Sequence, residues 1–266
     1  ARCRVVTIHD VFHLAHNKSL STKQKLYAYL MMRNAVRSAD VLLTVSMFTA
    51  SELQRHLNVT KNISVIYNAT SSTDFYPLKH DDINYVYSKY GLSNKFILYV
   101  GNVKPHKNLC NLLQAIKDES DLNLVIVGNE SGFITSDNDI FRLLENNTSL
   151  KNRVKFTGFV NDNELSCIYN LATLFVFPSI YEGFGIPPLE AQACGCPVVC
   201  SDIESLSEVC GDSALYFDPY SPDDILDKIS KSYDNKTIQR KFIEKVFKNN
   251  QMFARKKSTE DLIKLL

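Results

Sequence analysis

What most constrains this chain is a recurring alternation of short apolar runs with segments of helical period. Val5–Ile8, Val41–Val45, Ile63–Ile66, Phe96–Val100, Leu124–Val127, Val154–Phe156, Leu174–Phe177 and Val198–Val199 read as short buried strands. Between them stand helix-length stretches rather than two-residue turns. Leu109–Ile116, Asp139–Leu144, Glu164–Leu171 and Pro188–Cys194 read as helices. So does a segment opened by Ser21 with Gln24 as a capping box and carried by Leu26, Leu30 and Met31. Another is capped by Thr49 with Glu52 and runs to about Leu57. Strand, helix, strand is the pattern of a parallel sheet. The predicted class is α/β, a repeated βα unit forming two Rossmann-like bodies.

The period lapses over residues 68–94, which carry Asn68, Ser71, Ser72, Asp74, Pro77 and Gly91. That lapse is the expected boundary. It gives a partial N-terminal body over 1–78, a second body over 79–249, and a C-terminal segment over 250–266. Residues 1–78 sum to a charge of +5, residues 79–235 to −10 and residues 236–257 to +7. Basic ends around an acidic middle suggest that the ends belong together, although uneven solvated charge explains any one patch equally well. Phe242, Ile243, Val246 and Phe247, then Phe253, Leu262 and Leu265–Leu266, have helical spacing and must bury their apolar faces. They are expected to return to residues 1–78. With three strands, the N-terminal body holds about half of a Rossmann-like sheet. The first residue is Ala1, so a fragment is expected, with a missing N-terminal segment or a partner chain covering exposed apolar surface.

The formal charge of +1, from 30 Lys+Arg and 29 Asp+Glu, gives no global case for nucleic-acid binding. No apolar run approaches the ~18 residues of a membrane span. Basic helices can still rest on anionic headgroups. Seven cysteines is an odd number, against a complete disulfide framework. Four cluster as Cys194, Cys196, Cys200 and Cys210. Cys196 and Cys200 bracket a strand, and at ~3.3 Å per residue they stand ~13 Å apart, too far for one zinc. Buried thiols are the expectation. The sequons at Asn17, Asn58 and Asn68 are what an Asn-rich chain produces by chance. The expected location is the cytoplasm, with peripheral contact at the inner face of the membrane allowed.

The chemistry concentrates in Phe177-Pro-Ser-Ile-Tyr-Glu182-Gly-Phe-Gly185-Ile-Pro-Pro-Leu-Glu190. This segment leaves a strand, crosses a loop and enters a helix, with Pro187 or Pro188 in the first turn and Gly195 just past the end. Such a loop lies outside the carboxyl end of a parallel strand, where open α/β sheets bind ligands. Free amides at the helix start attract phosphate, and Gly183 and Gly185 let the backbone approach it. Glu182 and Glu190 can face one ligand. Carboxylates repel phosphate, so these two suit hydroxyl groups of sugar or ribose. Taken singly, Glu190 reads equally as a complement to the helix dipole and Glu182 as a surface residue.

The segment resembles the Glu-x7-Glu signature of retaining, nucleotide-sugar-dependent glycosyltransferases of family 4, which have the GT-B fold. Tyr99-Val-Gly-Asn-Val-Lys-Pro-His-Lys-Asn-Leu109 resembles the family's glycine-then-basic loop, and Phe156-Thr-Gly-Phe-Val160 its base-contacting turn. Ala193–Val199, Phe217-Asp-Pro219, His9-Asp10 and Val45-Ser46 match further segments in order. The resemblance implies that Glu182 binds a donor-sugar hydroxyl and Glu190 the ribose. The amides around Gly183, Phe184, Gly185 and Ile186 would meet the sugar and diphosphate, with Gly101 and Val160 also on the donor side. Lys104 and Lys107 would stabilise the departing diphosphate without a metal or other cofactor. Many relatives have an arginine where this chain has Asn102, so Lys104 is taken as its substitute. His9 would reach the cleft from the N-terminal body, near the reacting sugar, with His13, His16 and His106 as competitors. His106 is expected to point away.

Asp137-Asn-Asp139 also fits a cation-binding Asp-x-Asp pattern, but it reads better as a cap on a helix starting near Ile140. Gly101-Asn-Val-Lys carries no dinucleotide fingerprint. The resemblance thus implies transfer of a hexose from a GDP- or UDP-linked donor to a glycan or lipid-linked acceptor in polysaccharide assembly. Lys104-Pro-His-Lys-Asn108 inclines the donor to GDP-mannose. The alternatives are a non-catalytic nucleotide-sugar-binding subunit and a GT-B-like nucleotide-sugar epimerase.

Overall fold

The computed structural model describes residues 3–16, 20–71, 73–128 and 138–265. In chain order, the N-terminal elements are β1 (Val5–Ile8), α1 (Phe12–Ala15), α2 (Thr22–Ser38), β2 (Val41–Thr44), α3 (Met47–Leu57) and β3 (Ile63–Val65). Two short helices follow, α4 (His80–Ile83) and α5 (Tyr85–Tyr90), in the stretch whose sequence has no sustained period. Then come β4 (Ile97–Val100), α6 (Leu109–Ile116), β5 (Leu124–Val127), α7 (Asn138–Asn146), α8 (Thr148–Arg153), β6 (Val154–Gly158), α9 (Asp162–Leu171) and β7 (Leu174–Phe177). The chain continues with α10 (Ile186–Ala193), β8 (Val198–Ser201), α11 (Glu204–Cys210), β9 (Ala214–Phe217), α12 (Pro222–Tyr233), α13 (Lys236–Met252) and α14 (Arg255–Leu265).

Both sheets are parallel. The first has the order β1-β2-β3, with Val5 opposite Val41 and Leu42 opposite Ile63. The second has the order β6-β5-β4-β7-β8-β9, the doubly wound arrangement in which the first strand of the body, β4, stands beside β7. The crevice beyond the β4 and β7 ends is therefore the topological switch point. Alternate residues of the central strands feed two cores. Leu98, Val125, Phe175 and Phe177 pack on one face, and Ile97, Tyr99, Ile126, Leu174 and Val176 on the other. Because both faces are buried, β5 and β7 read as unbroken apolar runs.

The capping box of Ser21 and Gln24 is present with both of its hydrogen bonds. The expected cap at Thr49 is not: α3 starts earlier, and Ser46 Oγ accepts from Thr49 N at 2.9 Å. The sequence points to Thr49 because Glu52 stands three residues on. The Thr49 hydroxyl is instead directed at Gly183 across the molecule. Likewise α10 begins at Ile186, so Glu190 stands at the start of the second turn rather than in the first. Gly195, just beyond, has φ +76°. Strand β9 and helices α11 and α12 complete the sheet beyond the runs read as strands.

Phe253 is buried, and its ring lies 5.3 Å from that of Tyr67. Ser258 Oγ donates to Tyr67 O at 2.8 Å, and Thr70 bridges to Ala254. The chain after α13 thus meets residues 67–70. Helix α13 itself lies on α10 and on the turn Gly211–Ser213, where Asn249 Nδ2 donates to Val209 O at 2.9 Å. Val246 is buried and Ile243 exposed, and the Phe247 side chain lies outside the described residues. Leu26, Leu30 and Met31, the apolar residues at helical spacing in α2, are each more than half exposed. Tyr27, Met31 and Met32 line an open groove of about 720 Å³.

Cys194, Cys196, Cys200 and Cys210 are all buried thiols. Among the described residues no group of three or more His, Cys, Asp or Glu is gathered to hold a metal. Asp137 and Asn17 lie outside the described residues, and Asp139 sits in the first turn of α7 with Arg142 Nη1 at 3.4 Å. Among the described residues no helix is long and apolar enough to cross a membrane.

Candidate active site

Two loops meet at the switch point. The loop after β4 turns through a 3-10 segment, Pro105–Lys107, into α6, and the loop after β7 runs through Glu182 into α10. They are joined by hydrogen bonds to main-chain carbonyls. Ile180 N donates to His106 O at 2.9 Å, and Asn108 Nδ2 donates to Pro178 O at 3.0 Å and Pro219 O at 2.7 Å. Asn108 is buried and has φ +59°, a conformation that asparagine tolerates better than most non-glycine residues. The sequence places Asn108 beside the lysines but does not reveal this joining role. Its one signal is an asparagine directly before the helix.

That joint brings Lys107 onto Glu182, with Nζ to Oε1 at 2.6 Å. The two side chains are 19% and 15% exposed, so the pair is shielded yet reachable. Lys107 Nζ also stands 5.5 Å from the Phe177 ring centroid. Beneath it Tyr99 is fully buried, and its hydroxyl donates to Asn102 O at 3.1 Å. Burial and the nearby Glu182 charge push the Tyr99 phenol far up, so it remains a neutral donor.

Glu190 is held differently. Tyr169, fully buried in α9, donates its hydroxyl to Glu190 Oε2 at 3.1 Å. Burial raises the Glu190 carboxyl from the ordinary 4.5 to about 7, against the lowering effect of the Tyr169 bond. Burial, with Glu190 beside it, raises the Tyr169 phenol well above its ordinary value and keeps it protonated. The sequence gives no hint of Tyr169, which lies 21 residues upstream on another helix.

The Gly183–Ile186 stretch connects the two bodies. A Cβ built on Gly183 would stand 2.0 Å from His9 O, so only glycine admits the end of β1 this closely. The Gly183 carbonyl accepts from Ser46 Oγ at 2.6 Å and Thr49 Oγ1 at 3.0 Å. Phe184 is buried, with its ring 6.2 Å from Tyr67 and 5.6 Å from Phe253. Gly185 has φ +127°, and a Cβ there would meet Leu206 Cδ2 at 2.7 Å. Pro187 and Pro188 carry no N–H, so what the start of α10 can offer a ligand is chiefly the amides of 183–186. Among the described residues no acceptor faces those four amides.

The other predicted residues fall around this centre. His9 follows β1 with its carbonyl against Gly183 and its side chain exposed. Lys104 precedes the Pro105–Lys107 turn and is half-buried. Gly101 directly follows β4, its N–H given to Val127 O at 2.9 Å. Val160 is buried in the core, so it can offer a ligand only main-chain groups, while neighbouring Phe159 is exposed. His106 does not simply point away: its ring packs 4.4 Å from that of Phe12 in the N-terminal body. Burial, together with Lys107, Lys104, His16 and His13, lowers its pKa to about 4, so it stays neutral. Glu208 of α11 receives Met47 N at 2.7 Å and Phe48 N at 2.9 Å, closing the start of α3 from the opposite body. The sequence reading does not include Glu208, since only the fold brings it to α3.

A doubly wound parallel sheet faced by a second parallel α/β body is the architecture of the GT-B fold. The chain belongs to the glycosyl transferases group 1 family, whose sequence pattern matches residues 88–249, while that of Glycosyltransferase Family 4 matches residues 2–73. It is 34% identical over 232 residues to O-antigen chain mannosyltransferase B of Escherichia coli, covering 86% of this chain and 60% of that protein. It is also 34% identical over 220 residues to O-antigen chain mannosyltransferase RfbU of Salmonella typhimurium, covering 82% of this chain and 57% of that protein. The chain thus spans a little over half the length of these relatives. In fold it is similar to sucrose-phosphate synthase from Thermosynechococcus elongatus, with a TM-score of 0.85 and 21% identity over 98% of this chain and 66% of that one. It is similarly like Anabaena Alr3699/HepE in complex with UDP-glucose, with a TM-score of 0.84 and 19% identity over 99% of this chain and 72% of that one.

Proposed function

We propose that the chain carries the donor site of a retaining, metal-independent glycosyltransferase. It would move a hexose, mannose by likeness to its relatives, from a GDP- or UDP-linked donor to a glycan or lipid-linked acceptor. The observation that carries this reading is the Lys107–Glu182 pair at 2.6 Å, at the end of β7 and beside the unclaimed amides of 183–186. A cation and free amides suit a diphosphate, and a carboxylate suits the hydroxyls of the sugar attached to it. In transfer, the bond from the anomeric carbon to the diphosphate breaks and its electron pair stays on the phosphate oxygen. The acceptor oxygen bonds to that carbon and gives up its proton. Negative charge therefore grows where Lys107, Lys104 and the amides stand, and fixed cations stabilise it without reorganising. Glu182 would hold the sugar, Glu190 the ribose, and His9 would face the reacting sugar from the N-terminal body. Polysaccharide assembly in the cytoplasm, at the inner face of the membrane, fits a sugar destined for a lipid-linked acceptor.

Because the chain is shorter than its relatives, nucleotide binding is the decisive readout. Calorimetric titration with GDP, UDP and their mannose and glucose conjugates is expected to give one site, with affinity unchanged by excess EDTA. Binding of none of these ligands, or binding abolished by EDTA and restored by Mg²⁺ or Mn²⁺, would overturn the reading.

A further inference from the structure

The Val45-Ser46 segment matches a family pattern, yet the donor-site reading gives it no task. Ser46 and Thr49 are both fully buried. A buried hydroxyl must be hydrogen-bonded, and these two find their partner in the other body. Ser46 Oγ accepts from Thr49 N at 2.9 Å and stands 2.6 Å from Gly183 O, so its single proton goes to that carbonyl rather than to Thr49 Oγ1 at 3.0 Å. Thr49 Oγ1 reaches the same carbonyl at 3.0 Å, with His9 O more distant at 3.4 Å. A carbonyl oxygen has two lone pairs, and here both are taken.

We propose that Ser46 and Thr49 are positioning residues that clamp the Gly183 carbonyl and thereby hold the Phe184 amide turned toward the donor's diphosphate. The peptide between residues 183 and 184 is trans, like every other described peptide, so its C=O and N–H point in opposite directions. With the carbonyl fixed on α3, the Phe184 N–H is directed away from α3, and no acceptor among the described residues claims it. A flip of this peptide breaks two hydrogen bonds and leaves Ser46 Oγ only Thr49 Oγ1 at 3.0 Å, and Thr49 Oγ1 only the more distant His9 O at 3.4 Å. Glu208 keeps the clamp in register by receiving Met47 N and Phe48 N, the residues directly after Ser46. The donor loop is thus completed by the opposite body. Separation of the two bodies unclamps the amide, and their closure presents it.

This inference rests on the donor-site reading above, and the experiment separates the two. The full chain, the double variant Ser46→Ala/Thr49→Val and the conservative pair Ser46→Thr and Thr49→Ser are titrated with GDP and UDP. Thermal midpoints are measured in parallel. The double variant is expected to lose at least about tenfold in affinity, and each conservative variant to bind within about threefold of the parent. Loss of midpoint with unchanged affinity, or conservative variants as weak as the double one, would overturn the proposal. If the double variant does not fold, Thr49→Val alone keeps the Ser46 bond and is expected to show an intermediate loss. A ligand-free arm decides the orientation independently: ¹⁵N relaxation dispersion at Phe184 is expected in the double variant and not in the parent or the conservative variants. Absence of that exchange in the double variant refutes the clamp even if the parent binds no nucleotide, which by itself refutes only the donor-site reading.

Discussion

Replacing Glu190 with glutamine removes one titration and makes its effect on stability measurable. Burial carries this carboxyl from the ordinary 4.5 to about 7. A carboxyl whose pKa is raised by folding binds its proton more tightly in the folded chain than in the unfolded one. Stability therefore falls as pH rises from about 4.5 to about 7 and levels off beyond, the reverse of a salt-bridged carboxylate. At about 1.4 kcal/mol per pKa unit, the full change is on the order of 3 kcal/mol. Glutamine keeps the shape and can still accept from Tyr169, but it stays neutral throughout. The variant should match the parent near pH 4.5 and exceed it by up to about 3 kcal/mol at pH 8, several degrees in thermal midpoint for a chain of this size. Denaturant or calorimetric unfolding of both proteins between pH 4.5 and 8.5 reads the difference. Nucleotide affinity should behave oppositely. On the proposed donor-site reading Glu190 accepts from ribose hydroxyls, and an ionised acceptor makes the stronger bonds, so the parent should bind more weakly below pH 7 while the variant stays weak and flat. A stability difference that does not change with pH would refute the assignment of a buried, raised Glu190.

Lys107→Met keeps much of the apolar stem but leaves the Glu182 carboxylate shielded and unpaired. We expect destabilisation of about 1–3 kcal/mol and at least a tenfold loss of GDP or UDP affinity, read by unfolding and titration. Gly183→Ala sets a methyl against the His9 carbonyl, where a Cβ stands at 2.0 Å. It should lower stability by about 2 kcal/mol or more and increase the radius of gyration in X-ray scattering as the bodies move apart; an unchanged midpoint would contradict the close approach.

The sequence alone went far toward the fold because the information is local. Leu124–Val127 and Leu174–Phe177 match β5 and β7 residue for residue, since a strand covered on both faces must be apolar at every position. The Ser21–Gln24 box marks a helix start because both partners lie within one turn. Strand β9, Ala214–Phe217, was missed as a strand, and the start of α3 was misplaced at Thr49. The Thr49 hydroxyl is committed to a glycine 134 residues away, a partner no window of sequence contains.

The same division runs through the site. Sequence alone determined that Glu182, the glycines and Glu190 belong to one strand–loop–helix segment, and that lysines follow another strand. Spacing along a chain fixes which side chains share a loop. Only the tertiary structure decided that Lys107 meets Glu182, that burial raises Glu190 to about 7 against the Tyr169 bond, that Ser46 and Thr49 fasten the Gly183 carbonyl to the opposite body, and that Glu208 ties α3 to α11. Those contacts depend on strand order, because the β4–β7 neighbourhood brings two distant loops side by side. They also depend on burial, which sets the charge of a carboxyl and is a property of everything packed around it rather than of the residue itself.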